Sequence, residues 1–267
     1  MNISFIGYGN IAKAIAAGLC RNTVNQLRAA APSLPTGINK DGIKTFSDNQ
    51  AVIANADVLI LAVKPAQMSA VLTAINTDQL PAHCLVISVA SGLSLSWFEH
   101  YLPNTAIVRT MPNIASAVGK GATPMIANNI VTKAQQKQAE EIFTSLGIAT
   151  WIQNERDINA FTALSGSGPA YIFIFMEAMI KAAIQLGIAE EVAKAFTLQT
   201  FEGALELANQ SKHRLSELRA SVTSPAGTTA AAVRVLTQHN IDTLIAEAMH
   251  AAHERAEQLG TENNTLG

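Results

Sequence analysis

The chain has 267 residues, 49% of them hydrophobic and only 14% charged, where an ordinary soluble domain carries about 25% charge. That apolar content excludes a disordered chain. Eighteen Lys and Arg against 20 Asp and Glu leave a formal charge of -2, so there is no basic surplus to neutralise phosphates and no nucleic-acid partner is expected.

Low charge raises the question of a membrane. A spanning helix needs roughly 20 mostly apolar residues. The longest uncharged stretches, 79–98 and 158–176, contain Pro81 and His83, or the run Ser165-Gly166-Ser167-Gly168-Pro169. Both are expected to break a bilayer helix. The first residues lack the basic flank and cleavage site of a signal peptide. Cys20 and Cys84 form neither a disulfide framework nor a metal-ligand pattern. The histidines add no ligand spacing, so no metal site is expected. These features suit a protein of the reducing cytoplasm, without a membrane partner. Few charges then imply a large core, or surface hidden in an oligomer.

In chain order, residues 2–7 read as a short apolar strand ending in glycine. A helix from Asn10 to about Arg21 follows, with Ile11, Ala14, Ile15 and Leu19 at helical spacing. A weaker strand over 26–31 stops at Pro32. The continuous apolar runs 57–63, 85–89 and 106–109 suit strands buried on both faces. Helices fit near 47–54, 66–75 and 94–101. Strands alternating with helices predict a mostly parallel sheet. One more strand over 121–126, a helix near 132–146 and a short strand near 149–152 complete this half. After about Glu155 the pattern is helical: 170–186, 190–210, 215–221, a stretch ending near His239, and 242–260, with a frayed tail from Thr261. An α/β Rossmann-like domain over 1–155 and an all-α domain over 156–267 are expected.

Gly7-Tyr8-Gly9-Asn10-Ile11-Ala12 is a G-x-G-x-x-A pattern between strand and helix. Gly7 permits the tight turn, Gly9 admits a pyrophosphate to the backbone, and Ala12 lets helix and strand pack closely. The helix N-terminus offers free N–H groups to phosphates. The end of the second strand carries no Asp or Glu to bind a ribose 2′-OH. That absence favours NADP, with Ser33 as a donor to its 2′-phosphate; the competing reading makes Ser33 a turn residue only. Ala62-Val63-Lys64-Pro65 and Ala90-Ser91-Gly92 close two parallel strands at the edge where such sheets bind ligands. They are expected at the nicotinamide end. Asn113, in Met111-Pro112-Asn113, either orients the carboxamide or substrate, or caps a turn. Two Gly/Ser/Thr segments, 162–171 and 222–229, read as loops feeding helix starts. Each suits a small anionic group, or else simple capping.

Taken together, these residues resemble the pyrroline-5-carboxylate reductase family over about residues 2–260. The most specific pieces are Ala163-Leu164-Ser165-Gly166-Ser167-Gly168-Pro169-Ala170-Tyr171 and Thr223-Ser224-Pro225-Ala226-Gly227-Thr228-Thr229. The resemblance implies reduction of 1-pyrroline-5-carboxylate to L-proline with NADPH, or alternatively NADH. It implies that Gly7–Ala12, Asn49, Lys64 and Ala90–Gly92 surround the nucleotide, and that Ser224, Gly227, Thr228 and Thr229 hold the substrate carboxylate. Thr162 faces the ring nitrogen, Thr162 and Lys64 are the expected catalytic residues, and Glu155 falls at a substrate-proximal carboxylate. The helical domain makes an interlocked dimer, and dimers assemble into a decamer. The family's Ser-Pro-Gly-Gly-Thr loop has Ala226 in place of its first Gly. If that position needs φ > 0, alanine is strained there.

Two alternatives keep the same scaffold: a reductase of another cyclic imine acid, and a catalytically silent NADP-binding protein. Residues 171–176 are apolar almost all round, and such a helix must be buried on every side. This predicts an extensive apolar dimer interface in the C-terminal half.

Overall fold

The computed structural model describes residues 1–20 and 25–264. The end of the first helix near Arg21, and the last residues of the expected tail, lie outside the described residues. Two compact units are present, one formed by Met1–Pro169 with the segment from Ala251, the other by Ala170–His250. The expected boundary at 155/156 falls earlier than this division.

The first unit is built on β1 (Asn2–Ile6), β2 (Gln26–Ala30), β3 (Gly37–Ile38), β4 (Lys44–Phe46), β5 (Val58–Leu61), β6 (Leu85–Ser88), β7 (Ala106–Thr110), β8 (Gly121–Ala127) and β9 (Gly147–Trp151). They form a nine-stranded sheet in the order β3-β4-β2-β1-β5-β6-β7-β8-β9. Pairing is parallel except for β3 with β4 and β7 with β8.

Period-two alternation divides the core between the two faces of this sheet. Ile3, Phe5, Val58, Ile60, Ile87 and Val108 pack with Ile15 and Phe143 on one side. Ile6, Leu59, Leu61, Val86 and Ile107 pack with Met68, Leu72 and Phe98 on the other. The helices that cover these faces are α1 (Asn10–Leu19), α2 (Pro65–Ala74), α3 (Leu95–Tyr101) and α4 (Lys133–Thr144). The last three begin where the sequence supplies a start. Pro65 opens α2, Ser94 accepts from the Trp97 N–H at the head of α3, and Thr132 with Gln135 makes a capping box on α4.

Several elements differ from expectation. The helix expected over 47–54 is a single 3-10 turn, Asn49–Val52, capped by Asp48. Strands β3 and β4 lie where no strand was expected. The loop expected at 162–168 is helical. α5 (Asp157–Phe161) runs through a π-helical turn, Thr162–Gly166, into α6 (Gly168–Gln185). The Ser-Gly-Ser-Gly-Pro run therefore does not break the helix. The continuous segment Asp157–Gln185 is long and apolar enough to cross a membrane by length and composition. The proline is tolerated because the Ser167 N–H reaches back five residues to the Thr162 carbonyl, at 2.8 Å, and widens the turn.

The second unit holds most of α6, then α7 (Glu190–Gln210), α8 (Leu215–Ser221), α9 (Thr228–Gln238) and the start of α10 (Ile241–Asn264). Thr261–Asn264, expected to fray, continue α10. Within Ala170–His250 only Ala193 and Thr197 are buried.

Candidate functional site

The sheet order places β1 between β2 and β5, so the chain leaves β1 toward β2 and later returns on its other side. A crevice opens at such a switch point, outside the C-terminal ends of the strands. Gly7–Ala12 follow β1 and Ala62–Pro65 follow β5, so both segments stand at that edge. Gly7 has φ 85°, and a Cβ there would meet the Ala62 carbonyl carbon and oxygen at 2.7 Å. Its N–H donates to the Ala30 carbonyl at 2.8 Å, tying the turn to β2. Gly9 is the N-cap of α1 without a side-chain capping bond, and nothing stands within 4 Å of where its Cβ would be. Ala12 is fully buried. Asn10 is exposed and Ile11 half-buried at the head of the helix. The backbone donors of this helix start are open to an anion.

Tyr8 is half-buried, packs edge-on against Phe5 with centroids 6.3 Å apart, and hydrogen-bonds the Asn39 side chain. Burial pushes its phenol above the usual range, and the nearby Asp41 carboxylate adds to this. Asn39 came unannounced from the sequence. Its side-chain oxygen accepts from the Asp41 and Ile43 N–H groups, both at 3.0 Å, and so shapes the β3–β4 turn. Ser33 is exposed in the turn after β2, where the Leu34 N–H donates to the Ala31 carbonyl. No carboxylate occupies Ala31, Pro32 or Ser33, so the chemistry there accommodates a 2′-phosphate. Asn49 opens the 3-10 turn, and its buried Oδ1 has no partner.

Farther along the same edge, Lys64 is exposed and caps α2. The Ala90 N–H donates to Ser88 Oγ at 3.2 Å, Ser91 is half-buried, and Gly92 takes φ 79°. The next turn is fixed by Glu155, whose Oε1 accepts from the Leu95 N–H at 2.7 Å and from Arg109 Nη1 at 2.7 Å. The Arg109 side chain is 9% exposed and that of Glu155 28%. Glu155, which the resemblance places near substrate, is thus held against β7 and the head of α3. Sequence reading missed Arg109 as its partner, because 46 residues separate the two.

Thr162 begins the π-turn and is half-buried. Its Oγ1 donates to the Ile158 carbonyl at 2.7 Å, so the oxygen's lone pairs remain to accept. Asn113 Nδ2 donates to the Ser165 carbonyl in the same turn, at 2.9 Å. In the second unit, Ser224 and Gly227 close a turn through the Gly227 N–H and Ser224 carbonyl at 3.0 Å. Thr228 and Thr229 are the first residues of α9, whose N-cap Gly227 provides no side-chain cap. Ala226 has φ 57°. The condition set for strain at this position is met.

A G-x-G-x-x-A turn at the switch point of a mostly parallel sheet defines a dinucleotide-binding Rossmann-type protein with a helical second unit. A family profile described as "Pyrroline-5-carboxylate reductase dimerisation" matches residues 155–259, and one described as "NADP oxidoreductase coenzyme F420-dependent" matches residues 2–92. The chain is 39% identical to the pyrroline-5-carboxylate reductase of Pseudomonas aeruginosa, over 97% of this chain and 98% of the relative. It is similar to the structure of a pyrroline-5-carboxylate reductase from Coxiella burnetii, with 42% identity, TM-score 0.86, and coverage of 97% and 98%. It is also similar to the Plasmodium falciparum pyrroline carboxylate reductase with NADP bound, with 30% identity, TM-score 0.89, and coverage of 97% and 98%. This chain belongs to the pyrroline-5-carboxylate reductase family.

Proposed function

We propose that the protein reduces 1-pyrroline-5-carboxylate to L-proline with NADPH, in the cytoplasm, as the last step of proline synthesis. The observation that carries this reading is the Gly7 turn at the β1/β5 crevice, in a chain related over its whole length to reductases of this name. Gly7–Ala12 would hold the pyrophosphate, with Ser33 toward the 2′-phosphate. Tyr8, Asn49, Ala62–Pro65 and Ala90–Gly92 would line the remainder of the nucleotide site, while the Asn113 amide is engaged by the Ser165 carbonyl. A bound nicotinamide would supply the hydride.

The protein's own part is modest. A protonated imine is already an electrophile, so orientation contributes more than a strong general acid. Thr162 Oγ1 spends its proton on the Ile158 carbonyl. It therefore accepts from the imine N–H and keeps the proton on nitrogen while the carbon is reduced. The Ser224 hydroxyl and the N–H groups of Thr228 and Thr229 at the start of α9 hold the substrate carboxylate, with Gly227 closing the turn that presents them. Lys64, exposed at the same edge, adds positive charge toward the nicotinamide end. Glu155 fixes the Arg109 and Leu95 geometry.

The helical unit supports a homodimer, and we read dimers as assembling into a decamer. Its apolar surface is spread over α6, α7 and α9, including Phe173, Ile174, Phe196, Leu205 and Val235. A bilayer would cover one spanning helix, whereas a second copy of the chain covers all three, so no membrane partner is proposed.

The test is NADPH oxidation with pyrroline-5-carboxylate, repeated with NADH and with a panel of other cyclic imine acids. Substrate-dependent oxidation yielding proline is expected. Absence of oxidation with either nucleotide overturns the reading. Thr162→Ala is expected to lower kcat about tenfold or more, the scale of one lost hydrogen bond to a charged group, and an unchanged kcat removes Thr162 from the mechanism.

A further inference from the structure

The π-turn at Thr162–Gly166 has a particular hydrogen-bonding problem. In an α-helix the carbonyl of residue 165 would accept from the N–H of residue 169. Residue 169 is a proline and has no N–H. The Ser165 carbonyl is thereby deprived of its helical donor, inside a half-buried turn. The structure supplies a substitute from 52 residues away: Asn113 Nδ2 donates to it at 2.9 Å. Asn113 itself is only 8% exposed. It precedes a 3-10 turn, Ile114–Val118, yet makes no side-chain capping bond to it, so its amide is committed to the π-turn. A second contact joins the same two segments. A Cβ on Gly166 would stand 3.3 Å from Met111 Cε and 3.7 Å from Thr162 Cγ2, so the Met111 side chain lies close against this turn.

We propose that Asn113 is a positioning residue, which replaces the helical donor missing at Pro169 and so holds the π-turn that presents the Thr162 hydroxyl. This rests on the reading of Thr162 given under Proposed function. Three residues then form one device. Pro169 frees a carbonyl, Asn113 ties that carbonyl to the end of β7, and the bond from the Ser167 N–H to the Thr162 carbonyl closes the widened turn. The Asn113 amide acts through Ser165 rather than on the cofactor. Its Oδ1, buried and without a partner, is no part of this bond.

The device predicts a rescue that neither a cofactor ligand nor a general packing residue would show. Asn113→Leu, Pro169→Ala and the double variant are compared by kcat, KM for the imine, NADPH binding by fluorescence, and hydrogen exchange at the Ser167 amide. Asn113→Leu is expected to lower kcat about tenfold and speed Ser167 exchange by a similar factor, as for one buried acceptor left unpaired, with the Kd for NADPH unchanged. Pro169→Ala restores an N–H at the helical position. In the double variant both kcat and exchange protection should return to within a few-fold of the parent. If Asn113→Leu does not fold, Asn113→Ser, too short to reach the Ser165 carbonyl, serves in its place. NADPH affinity falling in step with activity, or a double variant no better than the single, overturns the proposal. Exchange at Ser167 needs no turnover. If it responds as stated while both Thr162→Ala and Asn113→Leu leave kcat unchanged, the Thr162 reading has failed and the positioning role falls with it, but the coupling to Pro169 stands.

Discussion

Ala226 offers a direct measure of backbone strain in the carboxylate loop. Its φ of 57° lies in the left-handed region, where a Cβ crowds the following carbonyl and costs roughly 1–2 kcal/mol. Ala226→Gly removes that cost. It also returns about 0.4–1 kcal/mol of conformational entropy to the unfolded chain, which opposes the gain. The mid-values of these ranges leave a net stabilisation of about 0.8 kcal/mol. Ala226→Val moves the other way, since a β-branched residue is a stronger outlier at positive φ. Urea midpoints at one fixed protein concentration measure both, because association would otherwise enter the comparison. On heating, about 1 kcal/mol corresponds to a rise of roughly 2–4 °C for a chain near this size. A glycine variant no more stable than the parent, with a valine variant no less stable, would refute the strain argument. The Gly227 N–H bond to the Ser224 carbonyl closes the same turn, so the variants should also be compared for imine KM.

Three further outcomes follow from the geometry. Glu155→Ala strands a nearly buried Arg109 and frees the Leu95 N–H, and should cost about 3 kcal/mol; replacing both ends, Arg109→Met with Glu155→Leu, should cost less than the sum of the singles in a double-mutant cycle, and strict additivity would disprove the coupling. Burial pushes the Cys84 thiol up to about 12 and raises that of the exposed Cys20, so a disulfide reagent at pH 8 should find no more than one slowly reacting thiol in the native protein and two in denaturant; two fast thiols in the native state would contradict the burial. The N–H of Asn2 donates to Asp57, and with His83 beside it this holds the carboxyl below its ordinary value. A depressed folded pKa means stability that is present above the unfolded pKa and lost as pH falls through the folded one, so Asp57→Asn should flatten the acid limb of stability against pH, and a limb of unchanged slope would count against it.

What could be read from the sequence was local. Val58–Leu61, Leu85–Ile87 and Ala106–Val108 are apolar without interruption because both faces of each strand are covered. Turn, strand end and helix start fall within Ile6–Ala12, so the nucleotide turn needed only six or seven adjacent residues to recognise. The strands β3 and β4 escaped because they are two and three residues long and carry little pattern. They are held instead by the Asn39 side chain and by the Thr45 hydroxyl, which donates to the Pro35 carbonyl at 2.7 Å. The segment at Ser165–Pro169 looked like a loop because Gly, Ser and Pro oppose a helix individually. What overrides them is an amide from Asn113, and nothing within the segment announces that donor. Glu155 was legible as a carboxylate near the site. Its engagement by Arg109 is tertiary and was not.

The low charge of the chain acquires two separate causes in the structure. In the first unit it is a core: strand after strand is buried on both faces, and the polar residues that enter, such as Ser88 and Thr110, are joined by the bond from Thr110 Oγ1 to the Ser88 carbonyl at 3.0 Å. In the second unit it cannot be a core, because only Ala193 and Thr197 are buried there. Eighty-odd residues without an interior do not offset the entropy of ordering them. Phe196 is 72% exposed and Leu186 84%, and covering a single such side chain contributes about 1.5–3 kcal/mol. Several of them together exceed the whole stability of an ordinary domain. For this unit, therefore, folding is expected to be coupled to pairing with a second copy, and an unfolding midpoint that rises with protein concentration would check it. The match of residues 155–259 to a dimerisation profile names the same region that the absence of a core singles out.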